Sequence, residues 1–153
     1  MRRPYVLLLI AVGLIVFVAV SVVLARVFNA NGAEQSAITS LVTDEAHGDT
    51  GAVIGDIAGC RASAACRTRA SYNATALKHP GAVSVIQIQA STNFSIAGTL
   101  GTARVAWNVA GRPQPVVQCV RVRRSGNPIS GLKVQLLVVS RRIKSDTACP
   151  ARF

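Results

Sequence analysis

The chain has 153 residues, half of them hydrophobic, and its seventeen basic and six acidic residues give a formal net charge of +11. Once an apolar N-terminal segment and a short linker are set aside, residues 36–153 remain, which is the size of one domain. Valine, alanine and isoleucine are plentiful and aromatic residues are few, a composition typical of a strand-rich core of small aliphatic side chains.

The chain begins with twenty-two consecutive uncharged residues between Arg3 and Arg26. A helix rising about 1.5 Å per residue needs roughly 20 apolar residues to cross a bilayer, and Val6 to Leu24 meets this requirement. Arg2 and Arg3 precede the run, so the positive-inside rule places the N-terminus in the cytoplasm and the rest of the chain outside. We predict a single-pass transmembrane anchor over residues 1–28.

A cleaved signal peptide is the alternative interpretation of this segment. Val23-Leu24-Ala25 has small residues where a signal peptidase reads them, and cleavage near Ala25 would release a secreted domain. The apolar run exceeds the roughly 7–15 residues of a typical signal-peptide core, which favours retention as an anchor. No cysteine lies near the end of the run, so a lipoprotein anchor is excluded.

Residues 29–35 are polar and are predicted to link the anchor to the domain. From Ser36 to Ala46 apolar residues recur at helical spacing, which predicts a helix that ends at Gly48. Its buried stripe is Ile38, Leu41, Val42 and Ala46.

A second short helix is predicted over Thr50 to Ala58, with Asp49 as its N-cap and Gly59 after its end. Its inward residues are Val53, Ile54 and Ile57. The polar segment Cys60 to Pro80 is predicted to be a disulfide-linked loop with a short helix at most.

From Ala82 onward the hydrophobic period changes to two, which predicts strands. The four predicted strands are Ala82–Ala90, Thr102–Ala110, Val116–Arg124 and Leu132–Ile143, with turn sequences at Gly111–Pro115 and Ser125–Gly131. Ile86 and Ile88 share one face of the first strand, and Ala103, Val105, Trp107 and Val109 share one face of the second. Short helices followed by a four-stranded antiparallel meander indicate an α+β domain.

The last hairpin can be given a register. Centring its turn on Pro128 pairs Val120 with Leu136 and Val122 with Val134, which places these four residues on the core face. On the reverse face, the same register pairs Arg121 with Gln135 and Arg123 with Lys133. Further from the turn the reverse face is apolar, with Val117, Cys119, Leu137 and Val139. An apolar outer face must be covered, and we predict that the tail Ser145 to Phe153 lies over it.

The four cysteines, Cys60, Cys66, Cys119 and Cys149, all lie on the predicted exported side. An even number in an oxidising compartment indicates two disulfides. Of the three connectivities we favour Cys60–Cys66, a short loop, with Cys119–Cys149, which would hold the tail on the sheet. A four-thiolate zinc site is the alternative, although the chain has no Cys-x-x-Cys pair.

The order of helices and curved sheet, with GTARVAW (Gly101 to Trp107) and PVVQCVRVRRSGN (Pro115 to Asn127), resembles the cystatin-like and nuclear-transport-factor-2-like α+β group. The chain is also similar to small membrane-anchored exported proteins of actinobacteria, a group without an assigned function. The resemblance covers roughly residues 36–150 and implies a sheet concavity that binds a ligand or partner, with no catalytic residues.

Positive charge is the strongest remaining signal, because residues 29–153 carry fourteen Lys and Arg against six Asp and Glu, a net of +8. Arg61, Arg67 and Arg69 form one basic cluster. The candidate residues for binding a polyanion or partner are Arg121, Arg123, Arg124 and Lys133 near the hairpin turn, and Arg141, Arg142 and Lys144 at the other end of the strand pair. Such a domain is attracted to anionic lipid, wall polymer or an envelope protein, whereas simple solubility is the plain alternative. Nucleic acid is disfavoured because no aromatic stacking residues accompany the arginines.

No motif for a nucleophile, a cofactor or a metal occurs in the sequence. His47 with Asp44, Glu45 and Asp49 is the one cluster that combines acids with a histidine, and a solvated helix end explains it as well as a metal site does. We therefore expect a non-catalytic, membrane-tethered binding module. The alternatives are a small hydrolase or isomerase with a sheet pocket near Trp107 and His47 or His79 as base, and a structural subunit of an envelope or secretion complex.

Overall fold

A computed structural model describes the backbone of residues 3–89, 100–127 and 131–153. Four helical elements precede the strands, namely α1 (Arg3–His47), α2 (Thr50–Asp56), a 3₁₀ turn (Cys60–Ala62) and α3 (Ala64–Leu77). The strands are β1 (Val83–Gln89), β2 (Leu100–Val109), β3 (Val116–Asn127) and β4 (Gly131–Val139), which form one antiparallel sheet in the order β1-β2-β3-β4. The predicted α+β class and the meander are confirmed. Ala90 and the turn centre at Pro128 lie outside the described residues.

The helix α1 is one element of 45 residues, about 68 Å long at 1.5 Å per residue. Residues 29–35, which we expected to be a linker, lie inside this helix. Glu34 accounts for the difference, because it is fully buried and its carboxylate accepts a hydrogen bond of 2.9 Å from the Arg124 Nε of β3. Asn31 accepts a second hydrogen bond from the same guanidinium, at 2.8 Å. A tertiary partner therefore keeps this polar stretch helical.

The N-terminal half of α1 has a different environment. Its described side chains between Ile10 and Leu24 are all exposed, and Phe17 is 71% exposed. Among the residues that the structure describes, no helix has the length and apolarity required for a membrane crossing.

The C-terminal half of α1 packs on the sheet as predicted. Ile38, Leu41, Val42 and Ala46 have no exposed surface and belong to the core. Burying each of the larger side chains stabilises the fold by roughly 1.5–3 kcal/mol. Gly48 ends the helix with a positive φ of 76°, a conformation that favours glycine.

The short helix α2 confirms its predicted cap and inward face. The Asp49 side chain accepts a hydrogen bond of 2.9 Å from the Ala52 backbone N–H. Val53 and Ile57 are buried, and Ile54 packs against the core. The helix ends at Asp56, two residues before the predicted end.

The segment Cys60 to Pro80, predicted as a loop with a possible short helix, is mostly helical, because α3 occupies fourteen residues of it. Ser63 caps this helix by accepting a hydrogen bond from the Cys66 backbone N–H. The buried residues are only Ala70, Asn73, Ala74 and Leu77, a narrow stripe of small and polar side chains. Such a stripe gives no hydrophobic periodicity, although alanine strongly favours helix.

Two β-bulges change the predicted strand faces. In β1, Val85 pairs with Trp107 and Gln87 pairs with Ala106, so Ile86 is the extra residue and is 61% exposed. The prediction that Ile86 shares a face with Ile88 is therefore wrong. In β2 the predicted alternation is confirmed, with Ala103, Val105, Trp107 and Val109 fully buried.

The hairpin of β3 and β4 is shifted from its predicted register by two residues. Val122 pairs with Leu136 and Arg123 pairs with Gln135. A shift of two keeps every side chain on its predicted face, since strands alternate with period two. A bulge then makes Leu137 the extra residue, so Val139 pairs with Val120 and joins the core instead of the outer face.

The tail covers the outer face of the sheet, and both favoured disulfides, Cys60–Cys66 and Cys119–Cys149, are present. The Ile143 backbone N–H donates to the Val117 carbonyl at 2.8 Å, which continues the pairing beyond β4. Arg104 donates to the Ser145 carbonyl, and Arg121 donates to the Ala151 carbonyl at 2.6 Å. Val117 and Cys119 are buried as a result.

Candidate functional site

A network of buried polar side chains lies at the centre of the domain. Gln118 Nε2 donates to Glu45 Oε2 at 2.7 Å and to the Ser140 carbonyl at 3.1 Å. Asn73 Nδ2 donates to Glu45 Oε1 at 2.9 Å and to the same Ser140 carbonyl at 3.0 Å. Two amide groups therefore bridge one carboxylate and one carbonyl. Trp107 Nε1 completes the network by donating to Gln118 Oε1 at 2.9 Å.

This network connects α1, α3, β2 and β3 to the chain that follows β4. Ser140 is also held through its hydroxyl, which accepts from the Cys119 backbone N–H at 2.9 Å and donates to the Arg141 carbonyl at 2.7 Å. The backbone that carries Arg141 and Arg142 is thus fixed from inside the domain.

Burial changes the acidity of two carboxyl groups. Desolvation raises the pKa of Glu45 to about 7, although the hydrogen bonds from Gln118 and Asn73 favour its ionised form. Desolvation also raises the pKa of Asp56, and the neighbouring Asp44 carboxylate adds to the effect. Neither group forms part of a cluster of three metal-binding side chains in the described chain.

The predicted basic cluster near the hairpin turn is divided between the fold and the surface. Arg124 pairs with Glu34 and has 15% of its side chain exposed, and Arg121 holds the tail and lies over the Phe153 ring at 5.3 Å. Arg123 and Lys133 are exposed. The structure does not pair these two residues, because Arg123 is opposite Gln135 and Lys133 is opposite Ser125.

The second predicted cluster lies at the opposite end of the sheet. Arg142 Nη2 donates to the Gln114 side chain at 3.1 Å and to the Pro115 carbonyl at 3.2 Å. The Arg141 guanidinium lies over the Tyr72 ring of α3 at 4.2 Å. Lys144 is exposed and lines a neighbouring pocket that also contains Asp146.

Two adjoining pockets run between α3 and the segment after β4. One, of about 320 Å³, has Arg69 and Phe153 in its wall, and the other, of about 240 Å³, has Tyr72, Asn73 and Arg112. Both are also lined by Arg141 and Arg142, so they lie side by side. We call this feature the arginine groove, and it consists of Arg69, Tyr72, Asn73, Arg112, Arg141 and Arg142.

A third pocket, of about 250 Å³, shares Arg69 and Phe153 with the neighbouring pocket of the groove. Its wall is mostly apolar and includes Ile57, Leu137, Val138 and Phe153. Its volume lies just below the range of roughly 300–1,000 Å³ that is typical of small-molecule sites.

The residues predicted for the enzymatic alternative are placed as follows. Trp107 is fully buried and hydrogen-bonded in the core, so it does not form the wall of an open pocket. His47 is exposed, and His79 Nδ1 forms a hydrogen bond with the Pro80 carbonyl at 2.9 Å. The acids near His47 are divided, since Glu45 points into the core network and Asp49 caps α2.

Sequence reasoning missed Tyr72, Asn73 and Arg112 as site residues, and it named Arg69 only as part of a basic cluster. Arg69, Tyr72, Asn73 and Ala76 have the spacing i, i+3, i+4, i+7, which would have placed them on one face if the segment had been recognised as a helix. Arg112 lies in a turn, and its contact with the Leu77 carbonyl, at 3.2 Å, joins residues 35 positions apart. No local pattern indicates that contact.

Comparison with known proteins gives no relative, since no protein-family model, no curated protein and no solved structure matches this chain.

Proposed function

We propose that this protein is a membrane-tethered binding module of the cell envelope, which works outside the cytoplasm, without catalysis, on an anionic envelope component or a protein partner. The observation that carries the proposal is the continuity of α1. The helix that contains the exposed apolar residues between Ile10 and Leu24 also supplies the buried stripe from Ile38 to Ala46. An apolar segment of this kind is unfavourable in water, and a bilayer would remove it from solvent.

The disulfides support an extracytoplasmic location. Cys60–Cys66 and Cys119–Cys149 account for all four cysteines of the chain. Stable structural disulfides are rare where glutathione and thioredoxin keep thiols reduced. This agrees with the orientation that Arg2 and Arg3 favour at the N-terminus.

The surface supports binding rather than chemistry. The domain has a net charge of +8 over residues 29–153, and its pockets are lined by guanidinium groups and apolar side chains. A long helix on an antiparallel sheet is compatible with the proposed kinship to cystatin-like and nuclear-transport-factor-2-like domains. That kinship implies a binding surface and supplies no catalytic residue.

Fractionation of cells that express the full chain with a C-terminal tag tests this proposal. We expect the protein to stay with the membrane in alkaline carbonate and the tag to be digested by protease added to spheroplasts. The four cysteines should react with maleimide only after reduction. A soluble cytosolic protein with four reactive thiols would refute the proposal, and a secreted product that begins after Ala25 would refute the anchor.

A further inference from the structure

The arginine groove has an excess of positive charge that the fold does not neutralise. Within the described residues no Asp or Glu side chain lines the groove, and no salt bridge joins a carboxylate to Arg69, Arg112, Arg141 or Arg142. Two of these guanidiniums are held by backbone carbonyls, Arg112 by Leu77 and Arg142 by Pro115. Arg141 is held by the Tyr72 ring. The groups are positioned in advance and keep donors for an anion, and guanidinium matches phosphate in a planar, two-point contact.

The groove is elongated. It follows α3 from Arg69 to Ala76, seven residues or about 10 Å, and its two pockets meet at Arg141 and Arg142. A single small anion would occupy only one of these pockets. The shape therefore fits a linear chain with anionic groups at intervals.

Asn73 gives one of the two pockets of the groove a fixed polar wall. The residue is 1% exposed and lines the pocket that contains Arg112. Its Nδ2 is fully used by Glu45 and Ser140, which fixes the orientation of the amide, and its buried Oδ1 has no hydrogen-bond partner among the described residues. This oxygen is closed off from solvent, so the fixed amide shapes the wall of the pocket and does not itself contact a ligand.

The position of the groove favours a free polymer over the lipids of the same membrane. α1 enters the domain where Glu34 meets Arg124, whereas Arg142 contacts Pro115, at the other end of β3. The nine residues from Arg124 to Pro115 span about 30 Å of extended chain. With α1 as the tether, the groove lies on the part of the domain that is far from the bilayer.

We propose that the arginine groove binds a linear phosphodiester polymer, with its phosphates on the arginines. This inference rests on the proposed function and names the anionic component. Polymers and lipid headgroups share glycerol phosphate chemistry, and the groove is assigned to the polymer.

The test uses full-length protein in neutral-lipid nanodiscs and poly(glycerol phosphate) as the probe. The groove variant is Arg141→Gln with Arg142→Gln, and the matched control is Arg123→Gln with Lys133→Gln, which removes the same charge from exposed residues at the other end of the sheet. We expect the groove variant to weaken binding about tenfold or more and to lower the slope of log affinity against log salt by roughly two. The control should weaken binding less than about twofold.

Arg69→Gln is a second groove variant, because the Arg69 side chain makes no hydrogen bond with the described residues and its loss should leave the melting temperature unchanged. It should weaken polymer binding by several-fold. Equal losses in groove and control variants would overturn the assignment to the groove.

Monomeric glycerol phosphate and phosphatidylglycerol vesicles distinguish the alternatives. Monomer that binds as tightly as polymer at equal phosphate concentration would overturn the linear ligand, and vesicle binding that depends on the groove arginines would overturn the free-polymer source. A fatty acid that occupies the adjoining apolar pocket and displaces the polymer would overturn the phosphodiester assignment. If wild-type protein binds neither polymer nor anionic vesicles, the proposed function itself fails.

Discussion

Glu45 lies inside the domain with no exposed surface, yet it is flanked by Asp44 and His47 in a stretch that the sequence presents as a polar helix end. Its carboxylate is the acceptor for two amides, from Gln118 and Asn73, which are 73 and 28 residues away in sequence. A carboxylate in such a site is stabilised only by partners that the tertiary fold provides.

The raised pKa of Glu45 predicts a specific dependence of stability on pH. The pKa is about 7 in the folded chain and has its ordinary value of 4.5 when unfolded, so the folded state binds more protons between these values. The resulting stabilisation is complete below pH 4.5 and is lost as pH rises through 7, by on the order of 3 kcal/mol.

Denaturant unfolding of wild type and Glu45→Gln across this pH range measures the effect. The unfolding free energy of wild type minus that of Glu45→Gln should decline from pH 4.5 to 7 and then level off. All other titratable groups are common to both proteins, so their contributions cancel in the comparison. The same pH slope in both proteins would contradict the role of Glu45.

At the scale of elements, residue patterns in the sequence predicted those features that depend on neighbours in the chain, namely a helix face, a helix cap and the alternation of strand residues. The stripe from Ile38 to Ala46 and the Asp49 cap follow from spacing and side-chain chemistry within one turn or two of helix. The face of each hairpin residue up to Leu136 also follows, because an error of two in register preserves alternation.

Elements that depend on distant partners could not be predicted. Glu34 keeps residues 29–35 helical through Arg124, which is 90 residues away. The bulges at Ile86 and Leu137 depend on pairing with the neighbouring strand. Each bulge inserts one extra residue, so the residues on its far side lie on the opposite face from the one that simple alternation predicts. The arginine groove was half predicted, since Arg141 and Arg142 were identified from charge and their neighbours on α3 were not.

The two disulfides should differ in their contribution to stability, because Cys119–Cys149 joins residues 30 apart and Cys60–Cys66 joins residues 6 apart. Loop entropy gives a loss of roughly 3–4 kcal/mol for Cys119→Ser with Cys149→Ser and about 2 kcal/mol for Cys60→Ser with Cys66→Ser.

Unfolding of both double variants in denaturant measures the two losses, and limited proteolysis reports on the tail. The first variant should also expose residues 145–153 to cleavage, since it frees the segment that covers Val117. A larger loss from the short loop, or a protected tail in the first variant, would contradict this account.

At the scale of the molecule, α1 sets the position of everything else. The helix continues without interruption from Arg3 to His47, and the sheet packs on its C-terminal half through the residues from Glu34 to Ala46. Under the proposed anchoring, such a continuous helix would hold the domain at a set height above the bilayer, unlike a flexible linker. Under the proposed anchoring, the hairpin with Lys133 faces the bilayer and the segment with Lys144 faces away.

Fluorescence quenching in nanodiscs tests this arrangement most directly. A fluorophore is introduced as an unnatural amino acid at position 133 or 144, where the native Lys133 and Lys144 are exposed. The nanodisc lipids carry a quencher on the headgroup, and the loss of fluorescence is compared between the two positions. We expect strong quenching at position 133 and weak quenching at position 144. Equal quenching, the reverse order, or a full-length chain that stays out of the bilayer would contradict the account.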